Sequence, residues 1–124
     1  MSKKVLIVDD EPNIVISLEF LMKKEGYEVT VARDGQEAVE RIQADRPDLV
    51  VLDVMMPKMN GFEVCATIRK DPNFGSVRIL MLTAKGREAE VKKGLSLGAD
   101  DYMPKPFSTH ELVDKAKCLL NAMP

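Results

Sequence analysis

The sequence predicts an α/β domain in which a five-stranded parallel sheet carries helices on both faces. Short apolar runs alternate five times with segments whose apolar residues recur at helical spacing. Most of these runs are apolar or β-branched throughout, as in strands that are buried on both faces. Each strand-and-helix unit spans about 25 residues, which suits right-handed crossovers that place helices on both sides of a parallel sheet.

Size and composition fit one such domain, expected over residues 1–124. The chain has 45% hydrophobic and 31% charged residues, as in ordinary globular proteins. Its net charge of −2 and the lack of a basic stripe argue against direct binding of nucleic acid. No apolar run approaches the ~18 residues of a membrane helix, and the first strand begins too early for a secretory leader. We therefore expect a cytoplasmic protein without membrane contact, with Cys65 and Cys118 as buried thiols.

The first two strand-and-helix units follow from apolar spacing and from turn residues. Lys4 to Val8 is the first predicted strand, and Pro12 suits the first turn of the helix after it. Gly26 ends that helix. Glu28 to Ala32 alternates with period two, which is typical of an edge strand. Apolar residues predict the inner faces of the two helices: Ile14, Leu18, Leu21 and Met22, then Ala38, Val39 and Ile42.

The remaining three units follow the same rules. Leu49 to Leu52 is the most apolar run and predicts the central strand, while Arg78 to Leu82 and Asp101 to Met103 predict the fourth and fifth strands. Ser108 and Glu111 predict a capping box at the start of the last helix. The inner faces of these helices are predicted to carry Phe62, Val64, Cys65 and Ile68, then Val91, Leu95 and Leu97, and finally Leu112, Ala116, Leu119 and Leu120.

Polar residues stand where the predicted strands end, at the sheet edge where a fold of this kind binds its ligand. They are Asp9 and Asp10 after the first strand, Asp53 after the third, Thr83 after the fourth and Lys105 after the fifth. Carboxylates from neighbouring strands repel each other unless a cation lies between them, and oxygen ligands without His or Cys favour Mg²⁺. An added hydroxyl and ammonium suit a phosphoryl group, with one carboxylate as nucleophile.

In these residues the chain resembles the receiver domains of two-component response regulators, over essentially its whole length. The matching segments, whose spacing also agrees, are Val8-Asp9-Asp10, Asp53 with Pro57 and Gly61, Thr83-Ala84, Gly98-Ala99-Asp100-Asp101-Tyr102 and Lys105-Pro106-Phe107. The resemblance implies a flavodoxin-like three-layer fold with the strand order 2-1-3-4-5. It also implies a signalling protein whose only catalysis is its own phosphotransfer and autodephosphorylation.

The resemblance implies roles for individual residues. Asp53 would accept a phosphoryl group from a phosphohistidine on a sensor histidine kinase or a phosphotransfer protein. Mg²⁺, with Mn²⁺ as a substitute, would be held by Asp9, Asp10, Asp53 and the backbone carbonyl of Met55. The phosphoryl oxygens would be bound by Thr83, Lys105 and the backbone N–H groups of Met55 and Ala84.

The resemblance further implies a switch between Thr83 and Tyr102 that would change the surface of helix four, strand five and helix five. That face would bind an effector domain, a partner protein or a second copy of the chain, and we assign to it Lys92, Lys93, Asp100, Asp101 and Lys115. The tight bend at Lys105-Pro106 predicts a cis peptide bond.

Two other interpretations deserve weight. A Mg²⁺-dependent phosphatase of the haloacid dehalogenase type also uses an aspartate nucleophile, but it needs a second acid two residues further on. Here Asp53 is followed by Val54 and Met55, and the nucleophile would lie on the third strand instead of the first. Asp10, taken alone, could equally be a helix N-cap.

Overall fold

A parallel five-stranded sheet forms the centre of the protein in a computed structural model that describes residues 3–56, 58–84 and 88–121. The strands are β1 (Lys4–Val8), β2 (Glu28–Ala32), β3 (Leu49–Asp53), β4 (Arg78–Ala84) and β5 (Asp101–Lys105). Their order is β2-β1-β3-β4-β5, and every neighbouring pair is parallel. The predicted fold class and strand order are confirmed.

Five α-helices cover the sheet within the described ranges. They are α1 (Pro12–Lys24), α2 (Gly35–Asp45), α3 (Gly61–Arg69), α4 (Glu88–Ser96) and α5 (Thr109–Asn121), with a short 3₁₀ turn at Pro72–Phe74. Residues of α1 and α5 pack on one face of the sheet, and those of α2 and α3 pack on the other. None of the helices in the described part of the chain is long and apolar enough to cross a membrane.

Alternation along the strands builds two cores from one sheet. Val5 and Ile7 of β1 pack with α1 and α5, whereas Leu6 and Val8 pack with α2 and α3, because successive side chains of a strand point to opposite faces. All five residues of β3 are buried, as its central position requires. The third strand ends at Asp53, so a charged side chain is carried to the very edge of the most buried strand.

Several helix positions differ from the expected inner faces. In α1, Val15 is buried with Leu18 and Met22, while Ile16 and Phe20 are 64% and 66% exposed. Leu95 of α4 is 44% exposed, because Gly94 is the residue of that helix that packs on Met81.

The prediction that both thiols are buried is wrong for Cys118. Cys65 is buried, and Cys118 is exposed. The buried residues of α5 are Leu112, Val113, Ala116 and Leu120. Cys118 follows Ala116 by two residues, and because each helical residue turns by about 100°, it points away from the core.

Local hydrogen bonds explain where three of the helices begin. Asp34 caps α2 by accepting the Glu37 N–H at 2.8 Å. Asn60 and Glu63 form a complete capping box at the start of α3, which the sequence analysis did not identify. One of the two hydrogen bonds of the capping box predicted for α5 is present: the Glu111 N–H donates to Ser108 Oγ at 3.4 Å. The Lys105-Pro106 bond is cis, as predicted.

Gly35, the first residue of α2, lies directly against the loop between β3 and α3. A Cβ atom at this position would overlap the Met59 carbonyl group. Beside this contact, Lys58 has a φ of +68° and its Nζ lies 3.6 Å from Asp34 Oδ2. The start of α2 therefore supports the loop that leaves Asp53.

Gly35→Ala should lower the free energy of unfolding by about 1–3 kcal/mol, because either the loop or the start of α2 must shift. Gly75→Ala is the matched control, since a Cβ there meets only the Pro72 carbonyl oxygen at 3.5 Å. Urea unfolding monitored by circular dichroism measures both variants. Equal stability of the two variants would contradict the packing argument.

Candidate functional site

The carboxyl ends of four strands line a cleft of about 650 Å³. Asp10 lies just after β1, Asp53 ends β3, Thr83 is the penultimate residue of β4, and Lys105 ends β5. All four line the cleft, together with Met55 and residues of α1. The structure thus brings together the residues that the sequence placed at one edge of the sheet.

Three carboxylates meet at this edge. Asp9, Asp10 and Asp53 each place an oxygen atom within 4.8 Å of the others. Asp9 is fully buried and Asp53 is 5% exposed, whereas Asp10 faces solvent. The Glu11 N–H donates to Asp9 Oδ1 at 2.9 Å, which fixes the orientation of that carboxylate. Such an all-oxygen set, open to solvent on one side, fits a hard divalent cation that retains water ligands.

Lys105 provides the positive charge of the site. Its Nζ lies 3.0 Å from Asp9 Oδ2, 3.4 Å from Asp53 Oδ1 and 3.9 Å from Glu11 Oε1. Burial disfavours its charge, but the hydrogen bond to Asp9 and the carboxylates of Asp53, Asp9 and Glu11 together hold its pKa above the ordinary value. Lys105 therefore remains an ammonium group that neutralises part of the acidic cluster.

Asp53 is the carboxyl group whose protonation is most affected. Burial first, and then repulsion from Asp9, raise its pKa to about 6, although Lys105 and the Met55 backbone N–H oppose the shift. This is the signature of a carboxylate that lacks part of its compensating charge. A cation bound beside Asp53 would relieve that repulsion.

Thr83 carries a buried hydroxyl group directed at the same cleft. The residue is 1% exposed, and among the described residues its Oγ1 has no hydrogen-bond partner. A buried polar group without a partner is costly, so a group that enters the cleft and bonds to this hydroxyl would be favoured. Thr83 also lines a crevice between α4 and strands β4 and β5, together with Tyr102, which is half-buried.

The remaining predicted residues lie close by. Met55 is 69% exposed at the mouth of the cleft, and its backbone N–H contacts Asp53. The Ala84 N–H donates to Glu90 Oε1 at 3.2 Å, a partner that the sequence analysis missed. Nothing in the spacing of the sequence singles out Glu90, because acidic residues are common in the first turn of a helix. Pro57, which contributed to the resemblance, lies outside the described residues.

Asp100 is not part of the face to which we assigned it. Its carboxylate accepts from Arg69 at 2.9 Å and from the Ile79 N–H at 2.7 Å, and it lies 3.5 Å from Arg78. These contacts join the end of α3 to the amino end of β4. Asp100 is therefore a structural residue at the opposite edge of the sheet from the cleft.

Asp53→Asn should stabilise the metal-free protein by about 1–2 kcal/mol near pH 7.5. Between pH ~4 and ~6 the folded protein keeps a proton that the unfolded chain has lost, so the wild-type protein loses stability as pH rises through this window. The gain from the substitution should therefore be less than half as large at pH ~4.5. Urea unfolding in EDTA at both pH values measures it.

Asp114→Asn, an exposed substitution on α5, is the matched control and should change stability by less than ~0.5 kcal/mol at both pH values. A loss of stability in Asp53→Asn near pH 7.5, or equal gains at the two pH values, would show that Asp53 is not held under repulsion.

Comparison with known proteins agrees with this geometry. The family model for the response regulator receiver domain matches residues 5–117. The alkaline phosphatase synthesis transcriptional regulatory protein PhoP of Bacillus subtilis is 48% identical over 120 residues, which are 97% of this chain and 49% of PhoP. The chain thus spans about half the length of that relative.

Solved structures give the same result. A response regulator from Chloroflexus aurantiacus superposes with a TM-score of 0.92 at 37% identity, over 98% of this chain and 99% of that one. The receiver domain of a sensor histidine kinase from Pseudomonas aeruginosa superposes with a TM-score of 0.88 at 29% identity, over 98% of this chain and 100% of that one. The latter was solved with a magnesium ion coordinated in its active site cleft. This chain belongs to the receiver domain family of two-component response regulators.

Proposed function

We propose that this receiver domain accepts a phosphoryl group on Asp53 in a reaction that depends on Mg²⁺. In this step the N–P bond of a phosphohistidine breaks and a bond forms between phosphorus and a carboxylate oxygen of Asp53. The observation that carries the proposal is the convergence of three carboxylates, one ammonium and one unpartnered hydroxyl on a single cleft. Electrostatic stabilisation of this kind supplies most of the catalysis in phosphoryl transfer.

The metal would be held by Asp9, Asp10, Asp53 and the backbone carbonyl of Met55. The fit rests on oxygen ligands alone, on the burial and the repulsion from Asp9 that together raise the pKa of Asp53, and on the exposed side of the cluster at Asp10. When bound, a divalent cation would neutralise charge on the phosphoryl oxygens and on the acidic cluster. Mn²⁺ prefers the same ligands and should substitute.

The chain's own groups would hold the phosphoryl oxygens. Lys105 Nζ lies 3.4 Å from Asp53 Oδ1, close enough to contact an oxygen attached to phosphorus there. The Thr83 hydroxyl is a free donor among the described residues and faces the cleft. The N–H groups of Met55 and Ala84 complete the proposed set. Charge-assisted hydrogen bonds from these donors would be stronger than neutral ones.

Incubation with acetyl phosphate and Mg²⁺ should add one phosphoryl group to the wild-type chain, detected by intact mass. Asp53→Asn should show no increment, because the amide lacks the nucleophilic oxygen. Mn²⁺ should restore the reaction after EDTA treatment.

Asp114→Asn, which leaves the cleft intact, is the matched control and should take up the group at the wild-type rate. An undiminished increment in Asp53→Asn, or full reaction in EDTA, would rule out the assignment.

A phosphohistidine protein, either a sensor histidine kinase or a phosphotransfer protein, is the proposed donor, and α1 is the surface where we place it. Ile16 and Phe20 are 64% and 66% exposed, and helical spacing puts them beside Asn13 and Ser17, which line the cleft. Adjacent exposed apolar side chains favour a protein contact.

Phe20→Ser should therefore slow transfer from a phosphohistidine protein at least ~threefold, because an apolar contact is lost. Transfer from acetyl phosphate should stay unchanged and serves as the internal control. Time courses of intact mass with each donor measure both rates. Equal slowing with both donors would place the effect on folding or chemistry instead of docking.

We further propose that phosphorylation is transmitted through Thr83 and Tyr102 to the α4–β5–α5 face, defined here by Lys92, Lys93, Leu95, Asp101 and Lys115. A phosphoryl oxygen would draw the Thr83 hydroxyl inward, and Tyr102 borders the same crevice. Lys115 Nζ lies 5.2 Å from the centroid of the Tyr102 ring and 3.2 Å from Asp101 Oδ1. A shift of the ring would therefore disturb charges on this face, which we propose as the contact for an effector domain, a partner protein or a second copy.

Beryllofluoride, a phosphoryl mimic, should promote dimerisation of the wild-type protein by at least ~tenfold in dissociation constant, about 1.4 kcal/mol. Thr83→Ala should lose this response while Asp53 still takes up phosphate, because the hydroxyl that moves is missing. Sedimentation velocity with and without the mimic measures the dissociation constant of the dimer for both proteins.

Thr67→Ala, on α3 away from the cleft, should respond like the wild-type protein. If neither the association state nor the spectrum of Tyr102 changes with the mimic, the proposed switch is wrong.

A further inference from the structure

The Ala84 N–H, one of the proposed phosphoryl-binding groups, is already occupied by a carboxylate of the same chain. Glu90 Oε1 lies 3.2 Å from Ala84 N. Glu90 belongs to the first turn of α4 and is half-buried. It also borders the crevice that Thr83 and Tyr102 share. An acidic side chain therefore stands at the junction of the phosphoryl site and the switch residues.

We propose that Glu90 is an internal competitor for the phosphoryl group at the Ala84 amide. This inference rests on the proposed function of Asp53. One N–H group can make one strong hydrogen bond, so the Glu90 carboxylate and a phosphoryl oxygen exclude each other there. Repulsion reinforces the exclusion, since a phosphoryl group carries more than one negative charge. The group on Asp53 gains the amide only when Glu90 leaves it.

Displacement of Glu90 would act directly on α4. Its bond to Ala84 ties the first turn of this helix to the end of β4. Gly94 is the only residue of α4 that is buried among those described, so the helix has few other anchors. Once released, the Glu90 carboxylate remains in the first turn, where the positive end of the helix dipole favours it. The same event that seats the phosphoryl group thus loosens the start of α4.

Competition at the Ala84 amide has a measurable consequence for anion binding at Asp53. If Glu90 and the phosphoryl group compete for one amide, removal of the Glu90 carboxylate must strengthen anion binding at Asp53 by the free energy that the Glu90 contact contributes before the anion binds. A residue that merely held α4 in place would have no such effect on the anion. The affinity of Asp53 for a phosphoryl mimic is therefore the decisive quantity.

The experiment is a titration of the full chain with beryllofluoride at a fixed Mg²⁺ concentration, followed by amide NMR. Glu90→Ala should bind the mimic about three- to tenfold more tightly than wild type, as expected for the loss of one competing charged hydrogen bond. Before any mimic is added, the Ala84 amide resonance should shift in Glu90→Ala, because its acceptor is gone.

Glu88→Ala is the matched control. Glu88 lies in the same first turn, carries the same charge and is exposed. It changes the net charge and the helix dipole as Glu90→Ala does, so its affinity should stay within about twofold of wild type. Circular dichroism verifies that both variants are folded.

The outcomes separate the two proposals. If wild type binds the mimic and Glu90→Ala binds it no more tightly, the role of Glu90 is wrong and the assignment of Asp53 stands. Equal tightening by Glu88→Ala would reduce the effect to overall charge and would also overturn the role of Glu90. If wild type does not bind the mimic at all, both proposals fall.

Discussion

Burial of Asp9 and Asp53 at the ends of two adjacent strands is the constraint around which the cleft is built. Both side chains are almost inaccessible to solvent, so each needs charge compensation from a neighbour. Lys105 supplies part of it, at 3.0 Å and 3.4 Å. Burial and repulsion from Asp9 still raise the pKa of Asp53 to about 6, so this compensation is incomplete. Repulsion between Asp9 and Asp53 therefore acts on the residue that we propose as the phosphoryl acceptor.

The surrounding strands and the β3–α3 loop hold these charged groups in place. β3 is the central strand and every one of its residues is buried, so Asp53 is held at the end of the most buried strand of the sheet. β5 brings Lys105 from two strands away, and the β3–α3 loop rests on Gly35. The elements that we propose respond to phosphorylation are less firmly packed. α4 buries only Gly94 among the described residues, and Thr83 and Tyr102 border a crevice beneath it.

The sequence predicted the fold through patterns that depend only on local physics. Alternating strand and helix runs imply a parallel sheet with crossovers, and the apolar run before Asp53 predicted the central strand. Helix faces were less accurate, since the choice between Ile14 and Val15 or between Leu95 and Gly94 depends on how each helix is tilted on the sheet. Cys118 was misplaced although its two-residue spacing from Ala116 puts it outside the apolar face of α5. Asp100 lies in a segment that resembles the family, yet its contacts with Arg69 and Arg78 are made across elements far apart in the chain.

By itself, the sequence determined which residues reach the functional edge of the sheet, because strand ends in a parallel sheet share that edge whatever the details of packing. Asp9, Asp10, Asp53, Thr83 and Lys105 follow from this rule alone. Only the tertiary structure decided how these groups are charged and partnered. The raised pKa of Asp53, the missing partner of Thr83 among the described residues, and the bond between Glu90 and Ala84 arise from distances of a few ångströms between separate elements. Electrostatic and hydrogen-bond energies vary steeply over such distances, and the order of residues along a chain does not specify them.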